Sequence, residues 1–386
     1  MAKFQKYSYW LLPFFYVLVA LFATNRNYFL PSSKVADIHC LVTQYNNFII
    51  FKNSFFHLIN GADLYQSFPN EQYDLFKYTP TFSLFFGIIA VLPNYLGLLL
   101  WNLLNVMLPL FAIHQIFGLN QRLKTIFTLL LLPEFFTTTL NSQSNGLILG
   151  LLLFAFSAVQ KNETRKAVIF ILMTAFIKLF GVFFFVIFLI YPNQFKKAII
   201  NGFIYGVILL ILPLLFVDLS YLIKLYQSYF HLLNHDGLQF VKYSVMGWLN
   251  QWFHLYPSKN VILLVGIFIQ ILPIIFIRKW TNSSKVFFGM SVLVWVVIFN
   301  HMAESATFII AVGAIYVAFA TYDNLPKGIL ALLIFMLLTT ELGPSDIYPK
   351  IWRTWIVETA QLKVFPCILI WFVLLIETIR LNLKEG

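Results

Sequence analysis

The chain has little charge, and it lacks the common signatures of nucleotide-binding proteins and hydrolases. Asp, Glu, Lys and Arg make up only 11% of its 386 residues. It contains no Walker A loop, HExxH pair or GxSxG elbow, so ATP-driven transport and the common hydrolase mechanisms find no support. The two cysteines, Cys40 and Cys367, lie far apart without CxxC or Cys/His spacing. Their spacing therefore argues for neither a disulfide nor a metal site. No acidic DxD-type cluster for a divalent metal is evident either, and we expect no cofactor.

Apolar segments are what the chain has in abundance. Hydrophobic residues make up 60% of it, and long apolar stretches recur from end to end, as bilayer-spanning helices require. The first stretch, Tyr9 to Thr24, has no small-residue cleavage site, so we interpret it as a retained helix with a cytoplasmic N-terminus. The pattern predicts an all-α polytopic membrane protein with about ten to twelve membrane segments and interfacial helices in its outer loops. We expect a single integral membrane domain over residues 1–386.

The basic residues predict the orientation. The net charge of +11 arises from cations at the ends of spans, a pattern typical of membrane helices and not of nucleic-acid binding. The cations that share one face, interpreted as cytoplasmic, are Lys3 and Lys6, Arg122 and Lys124, Lys161 with Arg165 and Lys166, Lys196 and Lys197, Arg278 with Lys279 and Lys285, Lys327, and Arg380 with Lys384. The longer loops and most acids collect on the opposite face. We therefore expect an active surface on the periplasmic or exterior side of the cell (inner) membrane.

Two segments are irregular. The number of crossings between Thr79 and Arg122 stays open. The apolar run from Ala167 to Tyr191 is interrupted midway by Lys178 and Gly181. Because both ends of that run carry cytoplasmic cations, a broken or re-entrant hairpin with Lys178 near the outer mouth is predicted.

The first outer loop, residues 25–78, carries the candidate catalytic acids. Asp37 stands in the apolar stretch ADIHCL close to the bilayer, where partial desolvation would give it the basicity that a general base needs. Asp63, Glu71 and Asp74 follow in a stretch rich in Tyr and Phe. Acids in a solvated loop are commonly only solubilising, and Glu71 and Asp74 fit that description best.

Cations and hydrogen-bonding side chains on the outer side could recognise an anionic ligand. A charge at the bilayer centre costs roughly 2.5 to 3.5 kcal/mol, so Lys178 is expected to face a cavity or to snorkel. The other members of this set are Lys77 and Tyr78 in KYTPTF, His301 and Glu304 in FNHMAES, and Arg353. His301 and Glu304 could instead form a local ion pair at a helix start. The turn NSQSNG, residues 141–146, offers amides for sugar hydroxyls, although a helix-capping turn explains it nearly as well.

Several segments, in order along the chain, resemble glycosyltransferase family 87, the membrane-embedded GT-C enzymes that include polyprenol-phosphate-mannose-dependent mannosyltransferases. The matching stretches are ADIHCL at Asp37, HLINGADLY ending at Tyr65, KYTPTFSLFFGIIAVLPNYLGLLLWNLLN ending at Asn105, NSQSNGLILGLLLFAF ending at Phe156, AFIKLFG ending at Gly181, and FNHMAESATFIIA ending at Ala311. The resemblance implies a GT-C type helix bundle. It also implies inverting transfer of a hexose, with mannose the first candidate, from a polyprenyl-phosphate donor to a glycolipid or glycan acceptor.

The resemblance also implies roles for individual residues. Asp37 resembles the first-loop acid that such enzymes use as a base. A second stretch, NNFIIF, resembles the same pattern but has Asn47 where an acid is expected; under that alignment Asp63 is the base. The candidates for the donor phosphate are Lys77, Lys178, His301 and Arg353, and those for the sugar or acceptor are Asn47, Tyr78, Gln143, Asn145 and Glu304.

Two other classes of protein stay open at this point. A lipid or polysaccharide transporter or flippase would move its substrate without forming a glycosidic bond, and a non-catalytic scaffold would have no affinity for lipid phosphate. Proton-coupled transporters often carry paired acids within the membrane. Here Glu134 and Glu377 stand isolated in the sequence, near the ends of probable spans.

Overall fold

Helices form nearly all of the fold. The computed structural model describes residues 2–34, 41–236 and 243–385. The α-helices are α1 (Ala2–Phe29), α2 (Asn46–Ile59), α3 (Pro80–Ala90), α4 (Asn94–Gln115), α5 (Gln121–Leu130), α6 (Leu132–Leu140), α7 (Asn145–Gln160), α8 (Thr164–Ile177), α9 (Pro192–Ile211), α10 (Leu219–Asp236), α11 (Val245–Phe253), α12 (Lys259–Phe276), α13 (Asn282–Ile298), α14 (Phe308–Phe319), α15 (Lys327–Met336), α16 (Lys350–Thr354) and α17 (Phe365–Glu385).

Short non-α segments connect or extend these helices. The 3₁₀ segments are Leu179–Ile190, Leu212–Leu215 and Ser305–Thr307, and the π-helical segments are Leu337–Glu341 and Trp355–Thr359. Two strands of two residues each, β1 (Ser33–Lys34) and β2 (Leu41–Val42), pair antiparallel. This pairing is a small local departure from the all-α prediction.

Many of the helices are suited to a membrane. Among the described residues, five helices are long and apolar enough to cross it: Asn94–Gln115, Gln121–Leu140, Pro192–Leu215, Lys259–Phe276 and Phe365–Leu383. Shorter apolar helices are Pro80–Ala90, Asn145–Gln160, Leu179–Ile190, Asn282–Ile298 and Ser305–Phe319. The prediction of an all-α polytopic membrane fold is confirmed.

The core lies among the central helices. Every residue of α14 is buried, and α13 is buried from Val286 to Ile298, as expected for helices that are apolar all round. The outer helices differ, because only 11% of the apolar window in Pro192–Leu215 and 17% of that in Lys259–Phe276 is buried. These peripheral faces are therefore available to lipid.

Helix α1 extends further than the apolar stretch that predicted it. It continues through Asn25 to Phe29, so the outer segment begins after Phe29. The Asn27 side chain explains part of this extension, because its Nδ2 donates to the carbonyl of Leu140 at 2.7 Å. The end of α1 is thereby fixed to the end of α6.

The interrupted apolar run forms a hairpin, as predicted. Helix α8 ends at Ile177, Lys178 has an extended backbone, and the 3₁₀ segment Leu179–Ile190 returns. The hydroxyl of Thr164 donates to Oε1 of Gln194 at 2.9 Å, so the start of α8 and the chain after the 3₁₀ segment lie at the same face. Lys178 is therefore at the opposite tip of the hairpin.

Candidate active site

The turn at residues 141–146, between α6 and α7, is the structural centre of the site. Its backbone carbonyls are bound by side chains from other helices. Asn47 Nδ2, on α2, donates to the carbonyl of Asn141 at 2.8 Å, and Trp101 Nε1, on α4, donates to that of Ser142 at 3.0 Å. Ser142 is in the left-handed region with φ +50°, which costs energy for a side chain other than glycine. The surrounding helices therefore hold this turn in one conformation.

The start of α7 is packed tightly against α4. Asn105 Oδ1 accepts the backbone N–H of Leu147 at 2.9 Å, which satisfies one of the free donors at the helix start. A Cβ on Gly146 would lie 2.2 Å from the carbonyl oxygen of Asn105. Only glycine allows this approach of the two backbones.

Gly146→Ala is expected to destabilise the protein by about 1–3 kcal/mol, because α4 and α7 must separate to admit the methyl group. Gly206→Ala is the matched control, since a Cβ on Gly206 of α9 meets no atom within 4 Å. The measurement is the thermal unfolding midpoint of purified protein in detergent. Equal midpoints for the two variants would contradict the close packing.

A hydrogen-bonded chain of four side chains crosses the site. Gln143 Nε2 donates to Oε2 of Glu304 at 2.6 Å. Lys178 Nζ donates to Oδ1 of Asn145 at 2.9 Å and to Oε1 of Gln143 at 3.5 Å. The 141–146 turn thus joins the tip of the α8 hairpin to the segment before α14. Four predicted site residues, distant in sequence, are brought together here.

The environment of Lys178 suits an anionic ligand. Gln143 and Asn145 are buried, and they offer the ammonium group amide oxygens, which carry no formal charge. In the described part of the chain, no carboxylate lies within salt-bridge distance of Lys178. The ion pairs found there involve other residues: His57–Glu71, Lys77–Asp74, Lys166–Glu163, Arg353–Asp346, Lys363–Glu134 and Arg380–Glu377. The Glu304 carboxylate attracts this ammonium from beyond Gln143. The positive charge has no direct ion pair, so a ligand anion can complete the pairing.

Tyr78 lies beside this chain. Burial raises the pKa of its phenol, and the Glu304 carboxylate raises it further. The phenol therefore keeps its proton at neutral pH and can donate a hydrogen bond. The next residue fixes the backbone, because the Thr79 hydroxyl donates to the carbonyl of Phe176, close to Lys178, at 2.5 Å.

His301 is paired with a cation that the sequence analysis did not single out. The Nζ of Lys259, at the start of α12, lies 3.1 Å from Nε2 of His301. Glu304 follows three residues later and forms a capping box with Thr307 at the start of the 3₁₀ turn. Glu304 therefore both caps this helix start and accepts a hydrogen bond from Gln143. Lys259 could have been identified from the sequence, because it is a cation at the end of a predicted outer loop, whereas Lys and Arg are usually in excess in cytoplasmic loops.

Asp63 has mainly structural contacts. Its carboxylate accepts the backbone N–H of Tyr65 at 3.1 Å, Nε2 of Gln66 at 3.3 Å and the hydroxyl of Ser228 at 2.8 Å. These bonds fix the outer loop to α10. The other candidate base, Asp37, lies outside the described residues.

Lys77 and Arg353 each lie beside an acid. Lys77 Nζ is 3.5 Å from Asp74, and Arg353 forms an ion pair with Asp346. Arg353 lines a groove of about 870 Å³ whose other lining residues are Phe22, Leu132, Pro133, Phe136, Thr137, Leu140, Asn141, Ser305, Glu341, Leu342, Pro344, Ser345, Asp346 and Ile347. The groove is mostly apolar and reaches the turn that carries the polar chain. It places room for an apolar molecule directly beside the site.

A buried ion pair supports the helix that leads into this turn. Lys363 Nζ lies 3.1 Å from Oε1 of Glu134 on α6, with both side chains fully buried, and donates to the carbonyl of Thr340 at 2.8 Å. Both acids that stand isolated in the sequence have a cationic partner in the structure. The partner of Glu134 is 229 positions away, and Arg380 pairs with Glu377 at 2.6 Å.

Comparisons with known proteins give a family match and similar solved structures. A sequence profile described as glycosyltransferase family 87 matches residues 76–340. The chain is similar to ArnT from Cupriavidus metallidurans in the apo state, with 13% identity, a TM-score of 0.48, and coverage of 95% of this chain and 73% of that one. It is also similar to ArnT from Cupriavidus metallidurans bound to undecaprenyl phosphate, with 13% identity, a TM-score of 0.47, and coverage of 96% of this chain and 72% of that one. No curated protein sequence matches.

Proposed function

Since the chain belongs to glycosyltransferase family 87 and is a polytopic membrane protein, we propose that it transfers a hexose from a polyprenyl-phosphate donor at the outer face of the cell membrane. Mannose is the first candidate for the sugar. The acceptor is a glycolipid or a glycan. The observation that carries the proposal is the Lys178 ammonium, held by two amide oxygens, with no carboxylate of the described residues within salt-bridge distance and the Glu304 carboxylate attracting it from further away.

The donor phosphate is assigned to the cations of the site. A phosphate leaving group needs no general acid, but its charge must be stabilised by fixed cations and donors. Lys178 supplies a positioned ammonium, and the His301–Lys259 pair supplies further donors beside Glu304. Lys77 and Arg353 remain candidates that would first have to leave Asp74 and Asp346.

Asp37 is assigned as the general base. Asp63 is less suited, because three protein donors already occupy its oxygens. Asn47, ten residues after Asp37, binds the 141–146 turn, and this docks the outer segment onto the site. The Asn47 amide therefore positions the outer segment, and it is also a candidate ligand for the sugar.

The reaction is a single displacement. Asp37 takes the proton from the acceptor hydroxyl while that oxygen forms a bond to the anomeric carbon. The bond from that carbon to the phosphate oxygen breaks on the opposite side, and the electron pair leaves with the lipid phosphate. Tyr78, Gln143, Asn145 and Glu304 orient sugar or acceptor hydroxyls, and the neighbouring apolar groove accommodates a lipid chain.

A donor comparison tests this proposal. Purified protein is supplied with radiolabelled polyprenyl-phosphate mannose or with labelled GDP-mannose, together with a membrane lipid extract as the source of acceptor. Label should enter a new glycosidic product from the lipid-phosphate donor only. Transfer from the nucleotide donor would overturn the donor assignment. Movement of the lipid-linked sugar across a vesicle membrane, without product formation, would favour a transporter.

Lys178→Met is expected to weaken donor use by roughly tenfold to 100-fold, the effect of losing one hydrogen bond to a charged group. The loss should appear in kcat/KM for the donor and less in that for the acceptor. Lys224→Met, which removes an exposed cation of α10, is the matched control and should have little effect. A loss of kcat/KM for the acceptor alone would assign Lys178 to acceptor binding instead.

A further inference from the structure

Two adjoining cavities lie at the end of α7 opposite to the candidate active site. Helix α7 has 16 residues, about 24 Å at the α-helical rise, and it carries Asn145 at one end and Gln160 at the other. The first cavity, about 430 Å³, is lined by Phe117, Gly118, Gln160, Asn162, Ile190, Tyr191, Pro192, Asn193, Gln194, Asn282 and Lys285. The second, about 490 Å³, is lined by Asn162, Glu163, Thr164, Arg165, Lys166, Lys197, Ile200 and Asn201.

The charge of the cavity walls is positive. Arg165, Lys166, Lys197 and Lys285 contribute four cations, while Glu163 is the single acid among the described lining residues. The Glu163 carboxylate lies 2.8 Å from Lys166, which leaves an excess of three positive charges. Such an excess in a concave site attracts an anion.

Hydrogen bonds fix part of the cavity walls. Asn162, which lines both cavities, accepts from Nε2 of Gln194 at 3.1 Å. Gln194 in turn accepts the Thr164 hydroxyl at 2.9 Å, and both of these side chains are buried. Lys285 Nζ is held 4.7 Å from the centre of the Tyr191 ring. Asn162 and Lys285 are therefore positioned before any ligand arrives.

A lipid-facing surface begins at the edge of the second cavity. Ile200 lines that cavity and is 49% exposed, and its helical neighbours Ile199 and Phe203 are 54% and 75% exposed. The rest of the span Pro192–Leu215 is also little buried. A molecule with an anionic head and apolar tails would match the cavities and the helix face together.

We propose that these cavities bind the phosphate headgroup of an anionic phospholipid in the leaflet opposite the candidate active site. Basic pockets between membrane helices on the cytoplasmic side bind such headgroups, cardiolipin among them. Phosphate oxygens would contact Lys197 and Lys285, the amides of Asn162 and Asn193 would bind glycerol hydroxyls, and the acyl chains would lie along α9. The inference uses no residue of the transfer site, so it stands or falls separately from the proposed function.

Native mass spectrometry of the purified full chain tests the proposal with phosphatidylglycerol, cardiolipin or phosphatidylcholine added to detergent. Wild type is expected to retain the two anionic lipids preferentially. The double variant Lys197→Gln/Lys285→Gln should lose roughly 25-fold in affinity for them, about fivefold for each cation removed. The single variant Lys197→Gln should lose about fivefold. Lys196→Gln is its matched control, because it removes the same single charge one residue away on α9, outside the lining of either cavity.

Three outcomes would overturn the proposal. Equal retention of phosphatidylcholine would show that charge does not select the lipid. A loss of lipid affinity in Lys196→Gln equal to that in Lys197→Gln would show that only the general positive charge of this face matters. Binding of soluble glycerol 3-phosphate as tightly as the lipids would assign the cavities to a soluble phosphate ester. The thermal midpoint of each variant is compared in lipid-free detergent, so that a folding defect is recognised.

Discussion

Asp37→Asn is expected to lower sugar transfer by about 100- to 10,000-fold, the range that a general base contributes. The amide keeps the size of the side chain but cannot take the proton from the acceptor hydroxyl. Donor binding and folding should stay nearly unchanged, because the donor phosphate is assigned to Lys178 and the His301–Lys259 pair. The measurement is initial rate at saturating donor, with the thermal midpoint and lipid-phosphate binding recorded alongside.

Two further acids supply the comparison. Asp63→Asn is expected to affect stability more than chemistry, because it weakens the bonds to Tyr65 and Ser228. Glu304→Gln is expected to give a smaller rate loss than Asp37→Asn, since it disturbs the position of Gln143. If Asp37→Asn retained wild-type transfer while Asp63→Asn or Glu304→Gln lost it, the base would be reassigned to that acid.

Lys363→Met is expected to destabilise the protein by about 3–5 kcal/mol, because it leaves the buried Glu134 carboxylate without its cation. Both side chains have 0% exposure, so water cannot replace the lost partner. The result should be a markedly lower thermal midpoint and a poor yield of folded protein from membranes.

The double variant Glu134→Gln/Lys363→Met measures the net contribution of the ion pair to stability, separately from the cost of leaving one charge unpaired. Removing both charges is commonly neutral or stabilising in buried pairs, so the double variant should recover most of the lost midpoint. Glu163→Gln is the control, because it breaks the exposed pair with Lys166 and should cost about 0–1 kcal/mol. A double variant as unstable as the single one would contradict this account of the pair.

The features that could be predicted from the sequence are those that local pattern determines. The break at Lys178 followed from a charge and a nearby glycine within an apolar run, and the structure explains the glycine, since a Cβ on Gly181 would lie 2.8 Å from the backbone nitrogen of Ala175. The 141–146 turn was likewise visible as a polar interruption between apolar segments, and it supplies two of the four side chains in the polar chain.

Features that depend on distant contacts could not be predicted. Glu134 looked isolated because its partner Lys363 is 229 positions away, and no local pattern reports such a pairing. The role of Lys259 depends on where α12 begins relative to His301. The end of α1 was predicted too early, because the helix is extended by a contact between Asn27 and the carbonyl of Leu140, and apolar content does not record that contact.

The measurement that tests the central claim most directly is the anomeric configuration of the product formed by purified protein from a polyprenyl-phosphate hexose of defined configuration, read by NMR. A single displacement assisted by one carboxylate base predicts a product with the opposite configuration to the donor. A product with retained configuration would contradict the account, because it would require a covalent sugar–enzyme intermediate or another two-step path.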